Sequence, residues 1–229
     1  SAIAKDPSTY EHIDPALVGN TRIIPMSNQA GQSNLRKRLS DAGLAVAKGD
    51  PALGRILEVV KDREAQGYAY DTAQASFELL ARDVMDQLPH LFEVERYRVT
   101  VERRRNAEGR MVSLSEAVVV VDVDEEKRLS VSESLDEDGA DRGPVNALSK
   151  ALVKDLGKYS SLLDDMRLVD FKVRITQGGT EATTRVIIDS EDGQGRRWST
   201  VGVSANILDA SFEALLDAIR WKLIRDRAQ

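Results

Sequence analysis

An α+β fold is predicted: a small trio of helices, followed by a β-β-β-α unit that occurs twice. Three observations predict it. Apolar residues recur with a helical period up to Pro89 and alternate with a period of two directly after it. Three strand-like runs then lead into a helix-like run, first over 90–158 and again over 165–229. The two copies also align: Tyr97-Val99-Val101 matches Phe171-Val173-Ile175 at an offset of 74, Val118 matches Val186 at 68, and Asn146 matches Asn206 at 60. A three-stranded sheet has one apolar face and a helix one apolar stripe, so the two units are expected to pack into one domain, 90–229, with a shared core.

Residues 1–32 are turn-rich, with Pro7, Pro15, Gly19, Pro25 and Gly31 breaking any long pattern. They read as an irregular linker segment. From 33 to 89 a helical subdomain is expected. "SNLRKRLSDAGL" reads as a short helix capped by Ser33 or Asn34 and closed by Gly43. "DPALGRILEVVKDREAQG" has Asp50 as its cap, Pro51 at the first helical position, Leu53, Ile56, Leu57 and Val60 on one face, and Gly67 as its stop. "DTAQASFELLARDVMDQL" repeats that grammar, with Asp71 as cap and Ala75, Leu79, Leu80 and Met85 as the buried stripe.

Strands are expected over 92–104, 113–123 and 127–134, with a helix from 144 to about 157. In the second copy they are expected over 166–176, 182–190 and 196–204, with a helix from 205 to about 226. "GQGRR" (193–197) lies between two of these runs and reads as a hairpin turn.

Bulk composition limits the function classes. With 41% apolar and 31% charged residues the chain has ordinary globular composition. No run approaches the ~18 apolar residues of a membrane span, and no export leader is visible, so neither membrane insertion nor secretion is expected. A formal charge of −6 argues against non-specific nucleic-acid binding. The absence of cysteine excludes disulfides and thiolate metal sites and fits a cytoplasmic protein. The start, "SAIAKDPSTYEH", has no initiator Met, and a piece of a longer protein is expected.

Few residues offer catalytic chemistry. His12 and His90 are the only histidines and stand 78 residues apart, so no metal-ligand spacing exists, and no nucleophile elbow, phosphate loop or dinucleotide fingerprint is present. The acidic "LDEDGAD" lacks the spacing of a calcium loop. What remains is the pair of helix starts, Gly143-Pro144-Val145-Asn146 and Asn206-Ile207. A helix N-terminus carries unpaired N–H groups and about +0.5 charge, which suits a carboxylate. The same residues are also ordinary capping grammar.

Several blocks in order carry a resemblance: "TYEHIDPALVGN", "SNQAGQSNL", "GYAYDTAQASFELL", "GPVNAL", "RLVDFKVRI" and "TVGVSANILDASFEALLDAI". Together they resemble the C-terminal region of the α-isopropylmalate/homocitrate synthase family, in its citramalate-synthase branch. The resemblance implies a linker subdomain and a dimeric regulatory domain of two β3α units, with the catalytic (β/α)8 barrel lying outside this chain. No cofactor is then expected here; the barrel would hold a divalent metal, Mg or Mn. The parent enzyme would condense acetyl-CoA with an α-keto acid, pyruvate in this branch, while this chain alone would be inactive. Isoleucine is the implied effector, bound near the dimer interface. Leucine, as in an α-isopropylmalate synthase, is the alternative, and a dimerisation module without ligand is a third reading.

Residue by residue, the family's Gly-x-Gly-Pro loop matches Asp141-Arg142-Gly143-Pro144, with Asp141 in place of the first glycine. Asp170 and Phe171 match an Asp-aromatic step, and Leu168, Ile175 and Ile207 match apolar pocket positions. Gln32 replaces an Arg of the family's pattern, and Tyr10 and His12 fall where the chain would follow the barrel. The pocket expected from this is framed by both helix starts, 143–146 and 204–207, with Asp170 or Asp141 taking the ammonium and Leu168, Phe171 and Ile207 the side chain.

Overall fold

A computed structural model describes residues 32–135, 143–177 and 182–227. Helices α1 (Gln32–Asp41), α2 (Pro51–Ala65) and α3 (Gln74–Val84) come first. Strands β1 (Glu93–Arg105), β2 (Met111–Val123) and β3 (Glu126–Leu135) lead to α4 (Gly143–Lys154) and the one-turn α5 (Ser160–Leu163). Strands β4 (Arg167–Gln177), β5 (Thr183–Glu191) and β6 (Arg197–Ser204) lead to α6 (Ile207–Arg227). Each strand trio forms an antiparallel sheet in sequence order. The expected α+β architecture, helical trio plus duplicated β3α, is the one observed.

The duplication extends to an irregularity. β1 is bulged between Val94 and Arg96, and β4 between Leu168 and Asp170. The extra residues, Glu95 and Val169, stand 74 positions apart, the offset that aligns Tyr97 with Phe171.

Helix ends follow local chemistry. Asp50 accepts a hydrogen bond from the Ala52 N–H at 2.8 Å, and Pro51 follows at the first position. Asp71 does not cap α3, contrary to expectation. The helix begins three residues later, after Ala73, with no side-chain cap, because Ala73 itself is fully buried in the core of the helical trio. The buried surface of α3 is also wider than one stripe: Ala75 and Leu79 are buried as expected, Leu80 and Met85 only partly, while Ser76, Phe77, Glu78 and Ala81 are buried too. This helix is held between α6, β6 and its own helical neighbours.

Two apolar cores result. The larger joins both β3α units through Ala117, Val119 and Val121 of β2, Val186 and Ile188 of β5, and the inward faces of α4 and α6. The smaller fills the helical trio with Leu35, Leu39, Leu53, Ile56 and Phe77, and it takes in Val201, Ile187 and Val203 from the opposite face of the second sheet. Strands β5 and β6 of the second sheet are thus covered on both faces by their own chain.

Helix α6 doubles back over β6 along a track of small residues. Trp198 Nε1 donates to the Ala218 carbonyl at 3.2 Å and Thr200 Oγ1 to the Ala214 carbonyl at 2.8 Å. Gly202 lies against Ala210, so close that a Cβ there would sit 2.0 Å from the Ala210 oxygen. Alanines four residues apart share one helix face, as alternate residues share one strand face, and this lets the two backbones approach.

Candidate effector site

Strand β4 carries much of the predicted pocket, and register decides what it presents. Phe171, Val173 and Ile175 pair with Ile188, Val186 and Thr184, so they point to the core side of the sheet. Yet they are 38%, 40% and 70% exposed, because β4 is an edge strand that no helix among the described residues covers there. The equivalent positions of the first unit fare differently. Tyr97 stacks on Phe212 of α6 with ring centroids 4.3 Å apart, and its hydroxyl donates to the Asp209 carboxylate. Partial burial, and then that carboxylate, push the Tyr97 hydroxyl well above its ordinary pKa. Tyr97 and Val99 of the first edge strand are covered from within, while Val101 is 52% exposed; Phe171 and Val173, the counterparts of the covered pair, are open.

Asp170 faces the other way. It pairs with Asp189, on the sheet face opposite Phe171, since successive strand residues alternate. Its carboxylate is occupied: Lys172 lies 2.8 Å away, and the Phe171 N–H donates to it at 2.8 Å. The Lys172 hydrogen bond, followed by that N–H, holds Asp170 below the usual carboxylate range. One pocket on one face of a protomer therefore cannot use both Asp170 and Phe171. Leu168, on the far side of the bulge, is half-buried against the main core.

The two helix starts are not equivalent. Asn206 precedes α6 as a true cap, its Oδ1 accepting from the Leu208 N–H at 2.9 Å, and it is exposed beside an Ile207 that is 44% exposed. Asn146 instead lies inside the first turn of α4, where Gly143 is the first residue and Pro144 the second. Gly143 adopts φ 84°, and a Cβ on it would meet nothing within 4 Å. Glycine is required there for its backbone angle. Asp141, Arg142, Tyr10 and His12 lie outside the described residues.

Sequence reasoning missed a polar seam along α6. Glu213, Asp217, Trp221 and Arg225 follow at four-residue spacing, on the face turned to the helical trio. Tyr68 donates to Glu213 at 2.6 Å, Ser76 to Asp217 at 2.6 Å, and Glu78 accepts from both Trp221 (2.8 Å) and Arg225 (2.6 Å). Two of these partners also close the free edge of the second sheet: the Val201 N–H donates to Ser76 and the Val203 N–H to Glu213, each at 3.0 Å. The four-residue spacing of two acids, a tryptophan and an arginine was the available signal; charged residues in a helix read as solvated until their partners are known.

Two clefts flank this seam. One, of about 310 Å³, lies between α2, α3 and α6 beside Asp217 and Arg63. The other, of about 630 Å³, lies between α1, α3, the end of the second sheet and α6. Of the predicted effector residues that are described, Asp170 alone lines it, and none lines the smaller.

Comparison with known proteins bears on this arrangement. The model of the LeuA allosteric (dimerisation) domain matches residues 71–223. The chain belongs to that family. A second model, homocitrate synthase post-HMGL domain-like, matches residues 1–67. This LeuA-type chain is 43% identical over 225 residues to an (R)-citramalate synthase of Synechocystis sp., covering 97% of the chain and 40% of that relative. An (R)-citramalate synthase of Aquifex aeolicus is 40% identical over 233 residues, covering 100% of the chain and 42% of the relative. A 2-isopropylmalate synthase of Methanocaldococcus jannaschii is 30% identical over 212 residues, covering 92% and 37%. The LeuA-type chain thus spans about two fifths of the length of the relatives it matches. Among its described residues, no helix is long and apolar enough to cross a membrane.

Proposed function

We propose that this chain is the dimer-forming, amino-acid-sensing region of a citramalate synthase, and that isoleucine is the amino acid. The observation that carries the reading is the open stripe Phe171-Val173-Ile175. It continues the core face of a sheet, and in the first unit the counterparts of Phe171 and Val173, which are Tyr97 and Val99, pack against the chain's own core. A second copy laid against β4 would supply that cover, so that apolar contacts, rather than water, meet the stripe. The aliphatic side chain of the effector would lie beside Leu168, Phe171 and Ile175. Its carboxylate would take N–H groups at a helix start, Gly143–Asn146 or Asn206–Ile207. Because Asp170 faces away and is held by Lys172, the ammonium acceptor in this reading is another acid, Asp141 or one on the partner copy.

In the parent enzyme a barrel holding Mg or Mn would join acetyl-CoA to pyruvate, and the effector would act by preferring one packing of the regulatory dimer. Leucine is the second reading, favoured by the match to a 2-isopropylmalate synthase. Calorimetry on this chain with isoleucine, leucine and valine tests both. Isoleucine binding at least tenfold tighter than leucine supports the first reading, the reverse order supports the second, and no heat from any of them leaves a dimerisation module without ligand.

A further inference from the structure

The smaller cleft, between α2, α3 and α6, is used by neither the dimer nor the effector reading. Its volume of about 310 Å³ stands at the lower end of the ~300–1,000 Å³ of small-molecule sites, so it suits a small ligand. Leu79, Leu80, Leu88 and Leu216 give it an apolar wall. Charges of both signs line it too: Arg63 and Arg220 against Asp83, Glu213 and Asp217.

Three of its polar groups keep unused bonding capacity. Tyr70 lines the cleft and is 3% exposed, yet its hydroxyl makes no hydrogen bond among the described residues and is not shut off from solvent. A polar group so deeply placed and without a partner calls for an explanation. That hydroxyl is within electrostatic reach of Arg63, Asp217 and Glu213, which sets it among the charges of the cleft. Asp217, half-buried, receives the Ser76 hydroxyl on Oδ2 and nothing on Oδ1 among the described residues. Arg220, also half-buried, lies 5.7 Å over the Phe92 ring and pairs with no carboxylate among the described residues. Asp217 and Arg220 stand three residues apart on α6, within electrostatic reach of each other but not in contact. The other two charges beside them are occupied: Glu213 by Tyr68 and the Val203 N–H, and Arg63 by the Tyr68 hydroxyl.

We propose that this cleft is a second small-molecule site, taking a free aliphatic amino acid. Its ammonium donates to Asp217 Oδ1 and the Tyr70 oxygen, its carboxylate accepts from Arg220, and its side chain lies against Leu80 and Leu216. A ligand with one charge would leave either Asp217 or Arg220 unmatched in a half-buried cleft, whereas a zwitterion meets both. Burial makes the Asp217 carboxyl easy to protonate, and an ammonium beside it would favour the ionised form. The site shares no residue with the β4 stripe and does not rest on the effector reading.

Methyl NMR on the chain tests this, with leucine as the probe. Two analogues, 4-methylpentanoate and 3-methylbutylamine, keep its aliphatic body and one charge each. Leucine should shift the methyl resonances of Leu80 and Leu216 saturably, and each analogue should bind at least tenfold more weakly. Arg220→Met, which keeps the apolar stem against Phe92, should weaken leucine at least tenfold. Tyr70→Phe deletes a hydroxyl that bonds to nothing among the described residues and so spares the fold; it should weaken leucine at least threefold. Shifts at Leu216 with Ile175 unmoved support this site and count against the β4 pocket. Shifts confined to Val173 and Ile175 overturn this site and leave the β4 pocket standing. Equal binding of either analogue, or unchanged leucine affinity in a folded variant, also overturns the proposal, as does the absence of any saturable shift.

Discussion

Gly202 of β6 and the carbonyl of Ala210 in α6 are in direct backbone contact, with no room for a side chain between them: a Cβ on Gly202 would stand 2.0 Å from that oxygen. Here the obstacle is a helix backbone that is itself pinned one and two turns further on by Thr200 and Trp198.

Gly202→Ala is therefore expected to destabilise the chain strongly, at or above the upper end of the ~1–3 kcal/mol typical of overpacking. Gly54→Ala is the control. Gly54 is exposed within α2 and a Cβ there meets nothing within 4 Å, so that change should stabilise by about 0.5–1 kcal/mol. Urea unfolding midpoints check both, and equal effects of the two would contradict the packing described.

Asp217 sets a pH dependence. Burial pushes its carboxyl up to about 7; the Ser76 hydroxyl, Arg220 and Arg63 pull the other way, and Glu213 adds to the rise. The folded state then holds a proton that the unfolded state releases near the ordinary value of about 3.9. This contribution to stability is fully present below pH 4 and is lost as pH rises through about 7. Asp217→Asn should raise the melting temperature at pH 8, leave it nearly unchanged at pH 4, and so flatten the profile between them. Parallel melting profiles for parent and variant would rule this role out.

Lys222 is 2% exposed and holds the end of α6 to the loops around the second sheet. Its ammonium lies 2.8 Å from Asp165 and 2.9 Å from Asp226. The Lys222 hydrogen bond, chiefly, keeps Asp165 below its ordinary pKa. Asp192 is also held low: burial opposes ionisation there, but Arg196 outweighs it. Lys222→Met should cost about 1.5–3 kcal/mol at pH 7, the range for losing charged hydrogen bonds, since Asp192 and Asp226 keep Arg196 and Asp165 is 45% exposed. The cost should shrink as pH falls below 4, where depressed carboxylates lose their stabilising contribution in any case. Chemical denaturation at pH 7 and pH 3 measures the difference, and an equal loss at both would show that the ion cluster is not its source.

Phe171→Glu places a charge in the middle of the open β4 stripe. The parent chain should sediment as a dimer at micromolar concentration. The variant should sediment at the 25.3 kDa of one chain, with an unchanged circular dichroism spectrum. A variant that remains dimeric would place the interface elsewhere.

Element type was legible wherever burial is one-sided. β2 and β5 alternate, α2 shows one stripe, and caps such as Asp50-Pro51 announce themselves within a few residues. Where an element is buried on several sides the signal fades: α3 hides Glu78 and Ser76, and α6 hides Lys222, because their partners are more than a hundred residues away or at a distant loop. The site was less legible than the fold. Asp170 and Phe171 are neighbours in sequence, and the pleat sends them to opposite faces. Asn146 and Asn206 align at a fixed offset, yet one lies within a helix and the other before one. The bulge at Val169 and the missing cover over β4 depend on register and on neighbours, which no local pattern encodes.

Of the 21 residues of α6, the side chains class as exposed only at Ile207, Asp209 and Arg227. One side rides on β6, one is bonded to the helical trio, and Phe212 meets the first unit at Tyr97. A helix so enclosed has few positions where drift is neutral. Random substitutions should be tolerated on the outward faces of α1 and α2 and purged along nearly the whole of α6, making its sequence the slowest-changing stretch of the chain.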